Sequence, residues 1–158
     1  MLTSQVKKEC VPALLSAATE LQKKEGPILL QYAYAKQAYL INSDSPSVLE
    51  KFANILFELK DYHQALKCAD RWFAENKESS SSSPTRANMF YIRGISSFYL
   101  KKYDNVVNNL QKAINGLMHS REKEKEAEAK RILEEELPKA RETPNVILNF
   151  YTDLTCLG

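Results

Sequence analysis

Histidine, cysteine and clustered carboxylates are the side chains that could catalyse or hold a metal here, and their spacing argues against both. His63 and Cys68 lie five residues apart. On a helix that turns them about 140° from each other, so they do not share an ion. His119 stands beside a charged run, and Cys10, Cys68 and Cys156 are far apart and odd in number. No disulfide framework is expected from them, and reduced thiols inside a cell fit the pattern. The chain carries no glycine-rich phosphate loop, paired-cysteine motif or nucleophile elbow. Its carboxylates lie next to lysines, as on solvated helix faces. The expectation is a protein that catalyses nothing and needs no metal or cofactor.

Side chains that bind rather than react need elements to hold them, and composition says which. The 158 residues are 44% hydrophobic, enough for one modest core, and include only four Gly and six Pro. Few breakers imply long helices and an all-α fold. Charged residues make up 27% at a net charge of +2. Lys and Glu are intermixed, so no concentrated basic face points to nucleic acid. No run approaches the ~18 apolar residues of a membrane span. Met1 to Gly26 lacks the layout of a secretory signal, because Lys7, Lys8 and Glu9 interrupt it. A cytoplasmic setting follows as the expectation, with the nucleus left open. The abrupt end at Leu157-Gly158 reads as a fragment of something longer.

The chain repeats itself. Phe57-Glu58-Leu59-Lys60-Asp61-Tyr62 returns as Phe98-Tyr99-Leu100-Lys101-Lys102-Tyr103, four of six residues identical and 41 positions on. An apolar stripe at helical spacing precedes each copy: Leu49, Phe52, Ala53 and Leu56, then Phe90, Gly94 and Ser97. A second helical stripe follows each: Ala65, Leu66, Ala69, Trp72 and Phe73, then Val106, Val107, Leu110, Ala113 and Ile114. Each unit reads as helix, tight turn, antiparallel helix.

This layout resembles the tetratricopeptide repeat (TPR), a helical hairpin of about 34 residues. Stepping back that far from Pro46 lands on Pro12, where a weaker unit fits, with Leu15 and Ala18 on its first helix and Ala35 and Ala38 on its second. The resemblance runs from Pro12 to Asn115 and departs from the pattern at three places. Trp72 stands where the family prefers alanine, Arg93 where it prefers an apolar residue, and Thr19 where a small one is usual. It implies an all-α, TPR-like α-solenoid of about three hairpins with a C-terminal capping helix. Repeats would occupy residues 1–115, in units 12–45, 46–78 and 87–115, with a cap or extension over 116–158. Ser45 is the candidate N-cap of the second unit, with Pro46 in its first turn. The serine-rich segment 78–86 carries the insertion that stretches the spacing to 41.

In that family the first helices of successive units line a concave groove that takes peptides or helices. The corresponding face here carries Asn88, Tyr91, Ile95 and Phe98 on the third unit and Glu50, Asn54 and Phe57 on the second, with Lys51 beside Glu50. Ser16, Glu20 and Lys23 supply the first unit. Solvent-facing aromatics suggest a binding surface. Packing of the same side chains on a neighbouring helix is the alternative. A clamp for chaperone C-terminal carboxylates would use Ser16, Glu20, Lys51, Asn88 and Ile92, and that set lacks the expected residue types. Trunk and tail leave two further readings open. Ser83-Pro84 fits a proline-directed phosphosite or a plain loop. The charged run from Arg121 and the stripe Ala129, Leu133, Leu137, Ala140 read as a helix that Pro138 should kink or end. Apolar residues from Val146 to Leu154, on a helix opened by Thr143-Pro144, bind a partner or fold back on the repeats.

The functional expectation is a protein–protein interaction module: an adaptor, a co-chaperone-like factor or a scaffold subunit. The alternative is a structural subunit acting through a homo-oligomer or constitutive complex. A nucleic-acid factor ranks behind both.

Overall fold

Long amphipathic runs separated by proline or by short polar turns produce helix after helix. The computed structural model describes residues 4–77, 83–118 and 122–141, and all regular structure within them is helical. The helices are α1 (Ser4–Lys23), α2 (Ile28–Ile41), α3 (Pro46–Glu58), α4 (Tyr62–Glu75), α5 (Pro84–Tyr99), α6 (Val106–Leu117) and α7 (Lys123–Arg131). A 3₁₀ turn, Tyr103–Asn105, leads into α6, and a π-helical turn, Ile132–Glu136, continues α7 into further helix over 137–141. Each helix packs mainly on its chain neighbours, and α1, α3, α5 and α7 also touch in series.

One turn design recurs three times. Glu25, Lys60 and Lys101 sit at φ 52°, 62° and 62°, in the left-handed region. The next amide in each case reaches back five residues: Gly26 to the Leu21 carbonyl at 2.7 Å, Asp61 to Leu56 at 2.9 Å and Lys102 to Ser97 at 2.8 Å. These bonds satisfy helix-end carbonyls and reverse the chain. A lysine at such a turn stabilises the negative end of the helix dipole, offsetting part of the cost of positive φ.

The first of these turns is one residue longer than the second: four residues separate α1 from α2, three separate α3 from α4. Ahead of the turn the units therefore align at a spacing of 35, not 34. Ala18, Ala53 and Gly94 become equivalent, and all three are buried. Thr19 does not occupy the small position after all. Pro12 lies inside α1, which begins at Ser4. The proline removes one helical bond, to the carbonyl of Lys8, an exposed residue.

The 41-residue spacing has two sources. Helix α5 is 16 residues long against 13 for α3, so the insertion is not confined to the serine segment. Residues 84–86, expected in the loop, open α5, and the Ser83 hydroxyl caps it by accepting from the Arg86 amide at 3.1 Å. Ser45 precedes α3 without a side-chain capping bond. Pro138 does not end the last helix. A π turn immediately before it, with the Leu137 amide bonded to the Ile132 carbonyl, widens the coil there. Residues 78–82, His119, Arg121 and the apolar stretch beyond 141, including Cys156, lie outside the described residues.

The main core runs from Ala35 through Phe52, Leu56, Trp72, Ile92, Leu110 and Ile132 to Leu137. Trp72 is buried in it, edge-on to Phe73 at 5.0 Å. Gly94 lets α6 approach closely: a Cβ there would lie 2.5 Å from the Leu110 side chain. In the preceding hairpin the equivalent positions are Ala53 and Ala69, both fully buried. One hairpin fills this contact with two alanines, the other with glycine and leucine.

Candidate functional site

Alternate helices present one polar wall each to a shared groove. It encloses about 700 Å³ between Leu15, Thr19 and Gln22 of α1, Ser47, Glu50, Lys51 and Asn54 of α3, Pro84, Thr85 and Asn88 of α5, and Glu122 and Lys125 at the start of α7. Asn88 donates through Nδ2 to Asn54 Oδ1 at 2.9 Å, and Lys125 Nζ donates to Asn88 Oδ1 at 2.8 Å. Asn54 in turn donates to the Glu50 carbonyl one turn earlier, at 2.7 Å. Lys125 also reaches Glu122 at 3.2 Å, and Lys51 donates to Gln22 Oε1 at 3.1 Å. A chain of side-chain hydrogen bonds thus links α3, α5 and α7, with a separate link between α1 and α3.

Four of the expected groove residues are here: Glu50, Lys51, Asn54 and Asn88. Four are not. Tyr91 and Ile95, expected to face solvent, are 6% and 2% exposed and belong to the core. The physical reason is that α5 packs against α3, α4, α6 and α7, so its buried residues are not confined to one face. Phe57 packs edge-on to Tyr62 and Tyr91, and Phe98 lies against Tyr99 and Tyr103. Phe57 thus joins α3 to α5, Phe98 packs within its own hairpin, and neither lines the groove.

On α1 the lining residues are Leu15, Thr19 and Gln22, each one position before the expected Ser16, Glu20 and Lys23, as the longer first turn requires. Glu122 and Lys125 were missed because the charged run of α7 reads as a solvated cap. Their signal is the i,i+3 pairing of opposite charges just where the helix begins.

The groove balances two carboxylates against two ammonium groups. Burial raises the pKa of Glu50, and Lys51 beside it works in the opposite direction. Thr19 turns its hydroxyl to the Leu15 carbonyl at 2.8 Å, a bond within its own helix. What this surface offers is donors and acceptors at fixed spacing, not a nucleophile beside a base. Among the described residues no group of His, Cys, Asp and Glu is arranged to hold a metal ion. His63 is exposed, and Cys68 is buried with its pKa pushed up to about 11, mainly by burial. No described helix is long and apolar enough to cross a membrane. The chain matches no family model and no curated protein.

Proposed function

We propose that this chain is a protein-binding module built as a TPR-like α-solenoid, and that it captures a partner's peptide or helix in the groove walled by α1, α3, α5 and α7. The observation that carries the reading is that every second helix contributes to one groove, with Asn54, Asn88 and Lys125 tied in a single hydrogen-bonded row. Side chains already held in place lose little freedom when a ligand arrives, which lowers the cost of binding. The free thiols of Cys10 and Cys68 support a reducing, cytoplasmic setting. On this reading the chain is an adaptor or scaffold and not an enzyme. A photo-crosslinking residue at Ser47, inside the groove, should capture a partner in cells, whereas one at the exposed Lys67 on α4 should not. Equal capture from both positions, or capture from Lys67 alone, sinks the groove assignment.

A second reading, assembly into a homo-oligomer, draws on α2. Leu29 and Leu40 are exposed on one side of it, with Ala33 between them. A solution mass that rises with concentration, and falls back when Leu29 and Leu40 are replaced by Glu, is the result that reading requires.

A further inference from the structure

A second cleft, of about 640 Å³, opens between α4, α5 and the turn into α6, on the other side of α5 from the groove. Arg93 lines it, five residues and therefore about 140° round the helix from Asn88. The repeat shows what is unusual here. At the spacing of 41 that relates the two hairpins, Arg93 replaces Phe52, Ser97 replaces Leu56 and Asn109 replaces Cys68. Three apolar positions of one unit have become a guanidinium, a hydroxyl and an amide in the next, and all three line this cleft.

The guanidinium is positioned by its surroundings. Its Nε donates to Asn109 Oδ1 at 2.9 Å, and the fully buried Asn109 is itself fixed by donating to the Asn105 carbonyl at 2.8 Å. The guanidinium carbon stacks 4.4 Å from the centre of the Phe73 ring. Asp70 stands 3.8 Å from Nε, beyond hydrogen-bond distance. Among the described residues the two Nη nitrogens meet no acceptor. Burial lowers the Arg93 pKa, ahead of the opposing pull of Asp70, and Arg86 lowers it further. The charge is partly desolvated and not fully paired, and its Nη donors are open to an acceptor that enters the cleft. Lys101 and Lys102 face the same space.

We propose that this cleft binds a carboxylate side chain of an acidic peptide segment, held two-pronged by the Nη nitrogens of Arg93 and flanked by Lys101 and Lys102. Planar, paired N–H donors match the two oxygens of a carboxylate. The charge count selects carboxylate over phosphate. Three cations face two carboxylates, Asp70 and Asp104, leaving one positive charge in excess. A monoanion balances that, whereas a phosphate dianion would meet repulsion from Asp70. Only one carboxylate enters the cleft; any further acidic residues of the segment stay in solvent, where their repulsion from Asp70 and Asp104 is screened.

The test is NMR titration of the full chain with a hexaglutamate peptide and, separately, with inorganic phosphate at equal ionic strength. The peptide should shift the Arg93 Nε–Hε resonance saturably, and phosphate should not. Lys102→Glu, at an exposed turn position, should weaken the peptide about tenfold without unfolding the chain. Arg93→Lys keeps the charge but not the fork and should weaken it as well. An unmoved Arg93 resonance overturns the proposal, as does peptide binding that is unchanged in the Lys102→Glu chain. Tighter saturation by phosphate than by the peptide overturns the carboxylate assignment.

Discussion

Ser96 is fully buried in α5, and among buried side chains its hydroxyl has no hydrogen-bond partner. The equivalent residue one unit earlier is Ile55, also buried. An unpaired buried hydroxyl costs stability, and alanine both removes it and favours the helix. Ser96→Ala should therefore stabilise the chain by about 1 kcal/mol. That would appear as a higher urea midpoint at unchanged slope, and a lower midpoint would show that the hydroxyl is satisfied in solution. Cys68 supplies a prediction in pH. Burial holds its thiol near 11 in the folded chain, above the ordinary 9.0, so the unfolded chain loses this proton first as pH climbs. The stabilising difference is intact below pH 9.0 and is lost progressively as pH rises to about 11. Tyr91, pushed up to about 12 chiefly by burial, extends the loss to higher pH. Denaturation midpoints between pH 8 and 11 should fall less steeply in a Cys68→Ala chain, and parallel slopes would remove Cys68 from the account.

At the scale of helix against helix, Gly94 and Leu110 form one joint and Ala53 and Ala69 its counterpart. Adding a methyl group at residue 94 drives it into Leu110, so Gly94→Ala should destabilise by about 1–3 kcal/mol despite its better helix propensity. Leu110→Ala opens a cavity and should cost about 2–5 kcal/mol. Together they rebuild the alanine pair of the preceding unit, so the double variant should fall short of the sum by at least about 1 kcal/mol. Simple additivity would mean that the two side chains do not share one space. The hairpins themselves were legible in the sequence, because Phe57 to Tyr62 and Phe98 to Tyr103 mark the same turn twice. What the letters did not reveal was the extra residue in the first turn, which displaced the α1 wall from Ser16, Glu20 and Lys23 to Leu15, Thr19 and Gln22. Single-face periodicity also misplaced Tyr91 and Ile95. A helix packed against four others buries side chains on more than one face, and no pattern within one segment reports how many neighbours it has. Arg93 stood out as a departure from the repeat, but its partner Asn109 becomes visible only when the two hairpins are superposed through α6.

Across the whole molecule the core is uneven. The main cluster takes side chains from α2 through the helix after the π turn and none from α1. Helix α1 is held by a smaller cluster in which Val11 packs with Ala38 and Val48. Elements with few buried contacts open at lower free energy than the rest. Hydrogen exchange should therefore be faster in α1 than in α3 to α6, and Val11→Ala should speed it in α1 alone. Protection of α1 equal to that of α5 would contradict this division.

That uneven anchoring makes the first wall of the groove a reporter of occupancy. Anything lodged between α1 and α3 adds its binding free energy to the docked state of α1, about 2.7 kcal/mol at a hundredfold excess over Kd. Protease attack on the first twenty or so residues would then slow in proportion to saturation. A crude digestion ladder, with no label on either molecule, becomes a titration curve for a ligand whose identity is still to be found.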